Sequence, residues 1–463
     1  MVDQRTRLRG GWLEKILLTL LSAGLGVLVF EPFAWWLLAL VAWVPLLFAL
    51  KDATPRQGFY LGLLHGFLLF GGTLSWLWSI FGRVSIGLWG VLALFTAVTS
   101  LVVVCLPRRS HFVSAVLVAS VWAGVEFYRA ELFFLTFPWI TPGTGFAPNW
   151  ITPVMGVYGV TFVIIFSNAL LVRSWKLALP ILLVVAAAGL TFPQLSLPEE
   201  TVRVGLVQDE SGMIGKLRES SEALAMEVDA IVWPEYSLGT MSDAGLDAGL
   251  ALAGNDRIFV ASGLENRDGI VGNTAFTISK EGVIGRHIKN HPVHLFDDGV
   301  KGETAEPVET SYGKIGTPIC FDCDHQDVLR KMTAEGAEFF LIPSLDRMDW
   351  TARQHEQHGA LFRHRAAENG RWLAVASSSG VTQIIDPRGY VHARLPLMEK
   401  GTLVGEVARR DGWTFFQKGG WLIGPLAMFA AGGIVLWLAW RKLRRSDDCA
   451  DSSGSKLESA SKP

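Results

Sequence analysis

The spacing of apolar residues divides the chain into three stretches. Apolar runs follow one another closely up to about residue 192, residues 193–416 mix apolar and charged positions, and a final apolar run precedes the polar C-terminus. A helix crosses a bilayer with roughly 20 mainly apolar residues, so each such run is a candidate span. The pattern predicts about eight spans, at residues 12–30, 34–50, 57–80, 85–107, 111–128, 151–172, 176–192 and 419–440.

Positively charged residues are unevenly distributed over the short segments that join these spans. If the N-terminus lies inside, the short outward-facing connections contain only Arg83 and Arg129. The inward-facing segments contain thirteen: Arg5, Arg7, Arg9, Lys51, Arg56, Arg108, Arg109, Arg173, Lys176, Arg441, Lys442, Arg444 and Arg445. Because cytoplasmic loops are enriched in Lys and Arg, both termini are predicted to be cytoplasmic and the mixed region to lie outside the cytoplasm.

In the mixed region, short β-rich runs alternate with helical patterns. The predicted strands are VRVGLVQ (202–208), AIVWPEYS (230–237), RIFVASG (257–263), NTAFTIS (273–279), GKIGTPICF (313–321), EFFLIPS (338–344), WLAVASSS (372–379), VTQIIDP (381–387) and TLVGEVA (402–408). The predicted helices are 213–228, 325–336 and 351–370, the last ended by an Asn-Gly pair that suits a helix C-cap. This alternation predicts one α/β layered domain of about 210 residues.

The composition is that of a membrane protein. Half of the 463 residues are hydrophobic, only 18% are charged, and the chain contains 18 Trp and 27 Phe. A formal net charge of -2 without a basic stripe or a stacking motif argues against nucleic-acid binding. Residues 446–463 are polar and Ser-rich without apolar periodicity, so a disordered cytoplasmic tail is predicted there.

Three polar residues at predicted strand ends carry candidate chemistry: Glu235 in VWPEYS, Lys289 in HIKNH and Cys320 in TPICFD. Taken singly, each residue type at such a position is more often structural than catalytic. Their order, with VRVGLVQ before them and the RAAE run at 365–368 after them, resembles the nitrilase, or carbon-nitrogen hydrolase, superfamily. The resemblance covers residues 200–408 and implies an extracytoplasmic α-β-β-α sandwich with a Glu-Lys-Cys triad.

The apolar segments resemble one particular family within this superfamily. FEPFAWWLLALVAWVPLLFAL (30–50), VWAGVEFYRAELFFLTFPW (121–139) and GVYGVTFVIIFSNALL (156–171) look like the membrane motifs of the apolipoprotein N-acyltransferase family. Seven spans over residues 1–192, a catalytic domain and a last span over residues 417–441 match that family's architecture. The resemblance implies a bacterial inner-membrane enzyme that is a monomer, uses no cofactor or metal, and has its catalytic domain on the periplasmic side. Its partners would be a phospholipid acyl donor and a lipoprotein acceptor.

The three residue types fit acyl transfer through a thioester. A free thiol has a pKa of about 8.5, so a carboxylate base and a nearby ammonium are needed to activate it at neutral pH. The resemblance makes Cys320 the nucleophile and Glu235 its base, with Lys289 and a backbone N–H near Phe321 holding the oxyanion. A phospholipid ester would acylate Cys320, and the amine of a lipid-modified N-terminal cysteine would then accept the chain.

A second acid is expected eight residues after the lysine in that family. A count without gaps reaches Asp297, and one extra residue reaches Asp298. Either carboxylate would orient the lysine, and a solvated turn is the alternative for both. The chain also departs from the family: Phe-Asp follows the nucleophile where Tyr-Glu is usual, and PSLDRMDW (343–350) and ASSSG (376–380) replace Asn-rich elements.

Several alternatives stay open from the sequence. Cys320 and Cys323 form a CxxC pair that would inactivate the enzyme if oxidised, or Cys323 is a packed bystander. HEQH (355–358) lacks the His spacing of a zinc helix. Glu126 and Arg129 are either a structural ion pair or part of a lipid-facing floor. The alternative functions are a membrane-tethered amidase, an N-acyltransferase with a different acceptor, and a sensor with a vestigial site.

Overall fold

The computed structural model describes residues 11–459 except for residues 199, 225, 226 and 255. Three of the predicted inward-facing arginines, Arg5, Arg7 and Arg9, and residues 460–463 of the predicted tail therefore lie outside the described residues. The described chain consists of a helical N-terminal part, an α/β sandwich and a long C-terminal helix.

Helices occupy the seven regions predicted as N-terminal spans. They are α1 (Trp12–Val29), a 3₁₀ turn (Trp36–Leu40), α2 (Val44–Leu50), α3 (Pro55–Thr73), α4 (Leu77–Phe81), α5 (Val84–Cys105), α6 (His111–Phe127), a π-helical turn (Tyr128–Leu132), α7 (Thr152–Arg173) and α8 (Trp175–Leu190). Within the described ranges, five helical stretches are long and apolar enough to cross a membrane: Trp12–Val29, Val84–Cys105, His111–Leu132, Thr152–Arg173 and Gly420–Arg444. Trp36–Leu50 and Trp175–Leu190 are shorter apolar helical stretches.

Local sequence explains where two of these helices begin. The Thr54 side chain accepts a hydrogen bond from the Gln57 backbone N–H, while the Gln57 side chain accepts one from the Thr54 N–H, which makes a capping box at the start of α3. Pro55 occupies the first helical position, where its missing N–H is not needed. Ser110 caps α6 in a similar way by accepting from the N–H of Val113.

The α/β part follows from residue 202. Its elements are β1 (Val202–Gln208), α9 (Ile214–Glu222), β2 (Ala230–Val232), α10 (Asp243–Ala253), β3 (Ile258–Arg267), β4 (Ile270–Ser279), β5 (Gly282–Ile288), β6 (Val308–Thr310), β7 (Gly313–Gly316), a 3₁₀ turn (Cys320–Cys323), α11 (Asp327–Ala334), β8 (Phe339–Ser344), a 3₁₀ turn (Met348–Trp350), α12 (Ala352–Asn369), β9 (Trp372–Ser377), β10 (Gln383–Ile385), β11 (Val391–Arg394) and β12 (Gly401–Val407). Short helices and turns, α13 (Phe415–Lys418) and Gly420–Leu422, lead into α14 (Ile423–Ser459).

The strands form two sheets that pack face to face with helices outside. In the described residues the first sheet has the order β12-β1-β2-β3-β4-β5 and the second β11-β10-β9-β8-β7-β6. The central pairs of each sheet, β1-β2-β3 and β7-β8-β9, are parallel. Parallel strands place their carboxyl ends at one edge, where side chains from different strands meet.

Three apolar layers hold the sandwich together. Residues between the sheets include Leu206, Val260, Leu341, Trp372 and Ile384, which are all buried. Helices α9 and α10 cover the first sheet with Leu217 and Leu252, and α11 and α12 cover the second with Leu329 and Phe362. Burying one large apolar side chain contributes about 1.5–3 kcal/mol, so these layers supply the main stabilisation of the α-β-β-α arrangement.

The structure differs from the sequence predictions at several elements. Strands β5, β6 and β11 were not predicted, the predicted strand 230–237 ends at Val232, and the predicted helix 213–228 ends at Glu222. Helix α10 was not predicted, because its small residues in DAGLDAGLALA give a weak apolar stripe. The predicted strand 313–321 ends at Gly316, since Cys320 begins a 3₁₀ turn. Helix α14 extends to Ser459, and the predicted disorder of residues 446–463 stays a prediction.

The sandwich contacts the helical part through buried polar groups. The indole N–H of Trp76 donates to Gln357 Oε1 over 2.9 Å, and the backbone N–H of Val157 donates to Glu368 Oε1 over 2.8 Å. The Val157 N–H is free for this contact because α7 is kinked at Gly156, where φ is +65°. Unpaired buried polar groups are costly, so each of these contacts fixes how the two parts fit together.

Gly156→Ala is expected to lower the stability of the protein by about 1–3 kcal/mol, because a non-glycine residue in the left-handed region is strained. A Cβ at this position would also lie 2.6 Å from Cε2 of Phe416 and 2.7 Å from Nε2 of Gln326. Thermal unfolding of the purified protein in detergent measures the change. Gly24→Ala, on an open face of α1, is the matched control. Equal unfolding temperatures for the two variants would contradict the assigned role of Gly156.

Candidate active site

The three predicted site residues come from three strand ends. Glu235 follows β2, Lys289 follows β5 directly, and Cys320 follows β7 after a short connection. The structure brings them together in one buried site, where Glu235, Lys289 and Cys320 are 4%, 1% and 6% exposed. The sequence prediction that these residues share a site is consistent with this placement, while their chemical roles stay a prediction.

The Lys289 ammonium is held by two carboxylates. Its Nζ lies 2.7 Å from Oε1 of Glu235 and 2.7 Å from Oδ2 of Asp298. A buried ammonium needs such partners, because leaving one charge unpaired in a low-dielectric site is strongly unfavourable. The lysine is thereby fixed in one position beside Glu235 and Cys320.

The acid beside the lysine is Asp298, which corrects the prediction of Asp297. Leu295 adopts the left-handed conformation with φ of +68°, and the loop between the lysine and the acid accommodates one residue more than the gap-free count. Asp297 is exposed, whereas Asp298 is 4% exposed and accepts a hydrogen bond from the N–H of Val293 over 2.7 Å.

Two further residues of the site were missed by sequence reasoning. Asn273 on β4 donates from Nδ2 to Oε1 of Glu235 over 2.7 Å and to Oδ1 of Asp298 over 2.8 Å. The Tyr236 hydroxyl also donates to Asp298 Oδ1. A buried amide within the apolar run NTAFTIS was the available signal, since buried polar side chains are almost always hydrogen-bonded.

The backbone at Cys320 is strained. Cys320 has φ of +46°, in the region that non-glycine residues avoid, and its thiol lies 3.6 Å from the carbonyl oxygen of Leu345. Asp322 holds this turn: its Oδ1 accepts from the N–H groups of Asn290 and His291 over 2.8 Å each, and its Oδ2 accepts from the N–H of Ile319 over 3.1 Å. Strain of this kind persists only where surrounding contacts over-determine the geometry.

Burial and charge set the protonation of the three groups. Burial, followed by the adjacent Glu235 carboxylate, raises the pKa of the Cys320 thiol well above its usual range, so the thiol is neutral at rest. Burial also raises the pKa of Glu235, against the opposing effect of Lys289. For Lys289 burial acts downward, yet Glu235, Cys320 and Asp298 hold its pKa well above the usual range. A permanent ammonium thus lies beside a carboxyl group able to exchange a proton.

A cavity of about 300 Å³ opens onto this site. One wall contains Glu235, Lys289 and Cys320 from the sandwich. The opposite wall is apolar and comes from the helical part, with Trp76, Leu77, Ile80, Phe81, Leu88, Val91, Leu92, Phe133, Leu135 and Phe137. The arrangement suits a substrate that has a reactive polar group joined to a long apolar portion.

The ion pair of Glu126 and Arg129 supports the apolar wall. Arg129 is fully buried and pairs with Glu126 Oε2 over 2.6 Å. Its Nη1 also donates to the carbonyl of Phe137 over 2.7 Å, and its Nη2 donates to that of Trp139 over 3.0 Å. The pair is therefore a structural ion pair that also holds the segment lining the cavity. Both alternatives that the sequence left open for Glu126 and Arg129 thus describe the same contact.

Two segments that depart from the expected family pattern contact each other at Asp346. Oδ1 of Asp346 accepts from Gln354 over 2.8 Å, and Oδ2 accepts from Ser377 over 3.0 Å. The Asp346 carbonyl oxygen accepts from the hydroxyls of Ser378 and Ser379. The two altered segments therefore hydrogen-bond to each other, and these bonds hold the loop that supplies the Leu345 carbonyl.

The HEQH and CxxC residues, which the sequence left open as alternative sites, have other contacts. His355 Nε2 lies 2.9 Å from the carbonyl of Arg347, and His358 Nδ1 lies 2.8 Å from Asp346 Oδ1, so the two HEQH histidines bond to different groups. Cys320 and Cys323 are both free thiols, and Cys323 is completely buried. The CxxC pair is thus reduced in this structure.

Comparison with known proteins gives two family matches. Residues 22–170 match the apolipoprotein N-acyltransferase N-terminal domain, and residues 194–412 match the carbon-nitrogen hydrolase family. The two matches follow one another in the order predicted from the sequence and together cover most of the chain.

Whole proteins with similar sequences match this chain over most of its length. The chain is 29% identical to an apolipoprotein N-acyltransferase of Geobacter metallireducens, covering 89% of this chain and 92% of that protein. It is also 29% identical to one of Azotobacter vinelandii over 94% of this chain and 96% of that protein. Among solved structures, Nit3 of Saccharomyces cerevisiae, a nitrilase superfamily member, covers 46% of this chain and 93% of its own, with 20% identity and a TM-score of 0.40.

The first family match falls on the helical N-terminal part, and the second falls on the α-β-β-α sandwich. The chain belongs to the apolipoprotein N-acyltransferase family of the carbon-nitrogen hydrolase superfamily.

Proposed function

We propose that the protein transfers an acyl chain from a phospholipid, through a thioester on Cys320, to the N-terminal amine of a diacylglyceryl-cysteine lipoprotein. The observation that carries the proposal is the cavity in which a wall of membrane-helix residues faces the Cys320 thiol. A soluble amide substrate needs no such wall, whereas the acyl chain of a phospholipid gains free energy from burial against it.

In the first half-reaction, Glu235 acts as the general base. It takes the thiol proton of Cys320 as the sulfur attacks the ester carbonyl of the phospholipid, because the neutral thiol is a poor nucleophile. The tetrahedral oxyanion is stabilised by the Lys289 ammonium together with a backbone N–H near Phe321. The carbon–oxygen bond then breaks, Glu235 returns the proton to the leaving oxygen, and a lysophospholipid departs.

In the second half-reaction, the acyl chain passes from sulfur to nitrogen. The α-amine of the lipoprotein cysteine attacks the thioester carbonyl, and Glu235 accepts the proton that the nitrogen loses. The carbon–sulfur bond breaks, the amide product leaves and Cys320 regains its proton. Both substrates reach the site from the membrane, so one apolar wall serves the donor and the acceptor in turn.

The proposed arrangement in the membrane has eight spans. Besides the five long apolar helices, the Trp36–Leu50 stretch, α3 and α8 would complete them. The distribution of Lys and Arg supports cytoplasmic termini and a catalytic domain on the periplasmic face of the bacterial inner membrane. We further propose that the protein acts as a monomer, because one chain supplies the whole site and the apolar wall.

Cys320→Ala is expected to abolish acyl transfer, with a fall in rate of at least about three orders of magnitude, as found when a nucleophile is removed. Purified protein is incubated with a fluorescent phospholipid and a diacylated lipopeptide, and mass spectrometry follows the acyl adduct on the Cys320 peptide. Cys323→Ala is the matched control and should keep both adduct and product, with or without reductant.

Three outcomes of this experiment would contradict parts of the proposal. Release of free fatty acid without acylation of the lipopeptide would identify a hydrolase of the amidase type. Wild-type protein that forms no adduct with any phospholipid would favour a vestigial sensor. Activity of the wild type that rises on addition of reductant, but not in Cys323→Ala, would identify the Cys320-Cys323 disulfide as an off-switch.

Asp298→Asn is expected to slow thioester formation about 10- to 100-fold, because Lys289 loses one of its two charged partners and its position beside the oxyanion. Asp297→Asn is the matched control and should change the rate by less than about twofold, as for most surface substitutions. Rapid quenching of the fluorescent thioester measures both rates. Equal effects of the two substitutions would contradict the role assigned to Asp298.

The proposed sidedness predicts which introduced thiols react from outside. Lys216 lies on the exposed surface of α9, and Arg444 lies at the proposed cytoplasmic end of the Gly420–Arg444 span, so the two variants are Lys216→Cys and Arg444→Cys. In spheroplasts, a membrane-impermeant maleimide should label Lys216→Cys more strongly than the wild type. It should label Arg444→Cys more strongly than the wild type only after lysis. Labelling of Arg444→Cys in intact spheroplasts would overturn the orientation.

A further inference from the structure

A buried histidine lies between two carboxylates at the base of the cavity. His358 on α12 places Nδ1 2.8 Å from Asp346 Oδ1 and Nε2 3.3 Å from Asp324 Oδ1. All three side chains line the cavity and are at most 3% exposed. Against the effect of burial, the carboxylates of Asp346 and Asp324 raise the pKa of His358 to about 10, so the imidazole is a cation at neutral pH.

The two carboxylates belong to the two segments that flank the nucleophile. Asp324 directly follows the 3₁₀ turn that begins at Cys320. Asp346 directly follows Leu345, whose carbonyl oxygen is 3.6 Å from the Cys320 thiol. An imidazolium that hydrogen-bonds to Asp346 and forms an ion pair with Asp324 therefore ties the nucleophile turn to the loop opposite it.

The same cluster reaches the helical part through Trp139. The Trp139 indole N–H donates to Asp324 Oδ2 over 2.6 Å, and its ring stacks on that of His358 with a centroid distance of 5.6 Å and an interplanar angle of 17°. Trp139 also lies in the segment whose carbonyls are held by Arg129. The cluster thus joins the apolar wall to the loops around Cys320.

Charge balance gives the histidine a second effect on the nucleophile. The Asp346 carboxylate is one of the groups that raise the pKa of the Cys320 thiol, after burial and Glu235. With His358 protonated, the cluster of Asp324, Asp346 and His358 carries one net negative charge. Without that cation it would carry two, and the forming thiolate would be disfavoured further in a site with little water.

We propose that His358 is a positioning residue for thioester formation, which holds the two segments on either side of Cys320 and offsets the charge of Asp324 and Asp346. The inference rests on the proposed function, since it concerns the same nucleophile. His358 touches neither the donor ester nor the reacting sulfur in this role, so its effect is on the rate of acylation and not on donor binding.

The test compares four proteins in the fluorescent-phospholipid assay: the wild type, His358→Gln, His358→Gln combined with Asp346→Asn, and His364→Gln. His358→Gln removes the cation, and the double variant restores the net charge of the cluster to that of the wild type. His364→Gln is the matched control, because His364 is a second buried histidine on α12 whose Nε2 lies 3.1 Å from the carbonyl of Thr144.

We expect His358→Gln to lower the maximal rate of thioester formation by at least about tenfold, with the donor KM changed by less than about threefold, because a charged partner of a buried network is lost. The double variant should be faster than His358→Gln, and His364→Gln should be within about twofold of the wild type. If His358→Gln does not accumulate in the membrane, accumulation replaces rate as the measured quantity for all four proteins.

The proposal is overturned by either of two results. The first is that His358→Gln forms the thioester at the wild-type rate. The second is that the double variant forms the thioester, or accumulates, no better than His358→Gln. A role of His358 in packing alone would give this second result, because packing does not respond to the restored charge. These results differ from failure of the proposed function, in which the wild-type protein itself forms no thioester from phospholipid.

Discussion

The contact between the α/β sandwich and the ends of the membrane helices is the constraint on which the site depends. It includes buried polar pairs, such as the Val157 N–H with Glu368 Oε1 over 2.8 Å and the Trp76 indole N–H with Gln357 Oε1 over 2.9 Å. Polar groups removed from water must be matched one to one, so the two parts fit in one relative position. The cavity exists only in that position, because the reactive groups come from one part and the apolar wall from the other.

Removal of water also gives the reactive residues their properties. Lys289 remains an ammonium because Glu235 and Asp298 both contact it, while Glu235 and Cys320 have raised pKa values because burial disfavours their charged forms. The thiol is therefore neutral, and an adjacent carboxyl group is placed where it can exchange a proton with it. The same groups in water would show none of these shifts.

The departures from the family pattern show how loops near the site can change together. Asp346 in one altered segment is satisfied by Ser377, Ser378 and Ser379 in the other, and by His358 on the helix that follows. A network of this kind keeps the loop in place only if all its members are paired. The altered segments are compatible with an ordered loop because Asp346 finds partners among them.

The sequence by itself determined the apolar spans, the alternating strands and helices, the C-cap at Gly370, which has φ of +64°, and the grouping of Glu235, Lys289 and Cys320. The spans, the alternating elements and the C-cap follow from local periodicity and capping residues, whereas the grouping of the three site residues follows from the family resemblance. Only the tertiary structure decided that Asp298 and not Asp297 faces the lysine, because one residue in a loop conformation changes which side chain points inward. It alone also brought Asn273, Trp139 and His358 to the site, since these contacts join residues distant in sequence and depend on how the sandwich packs against the helices.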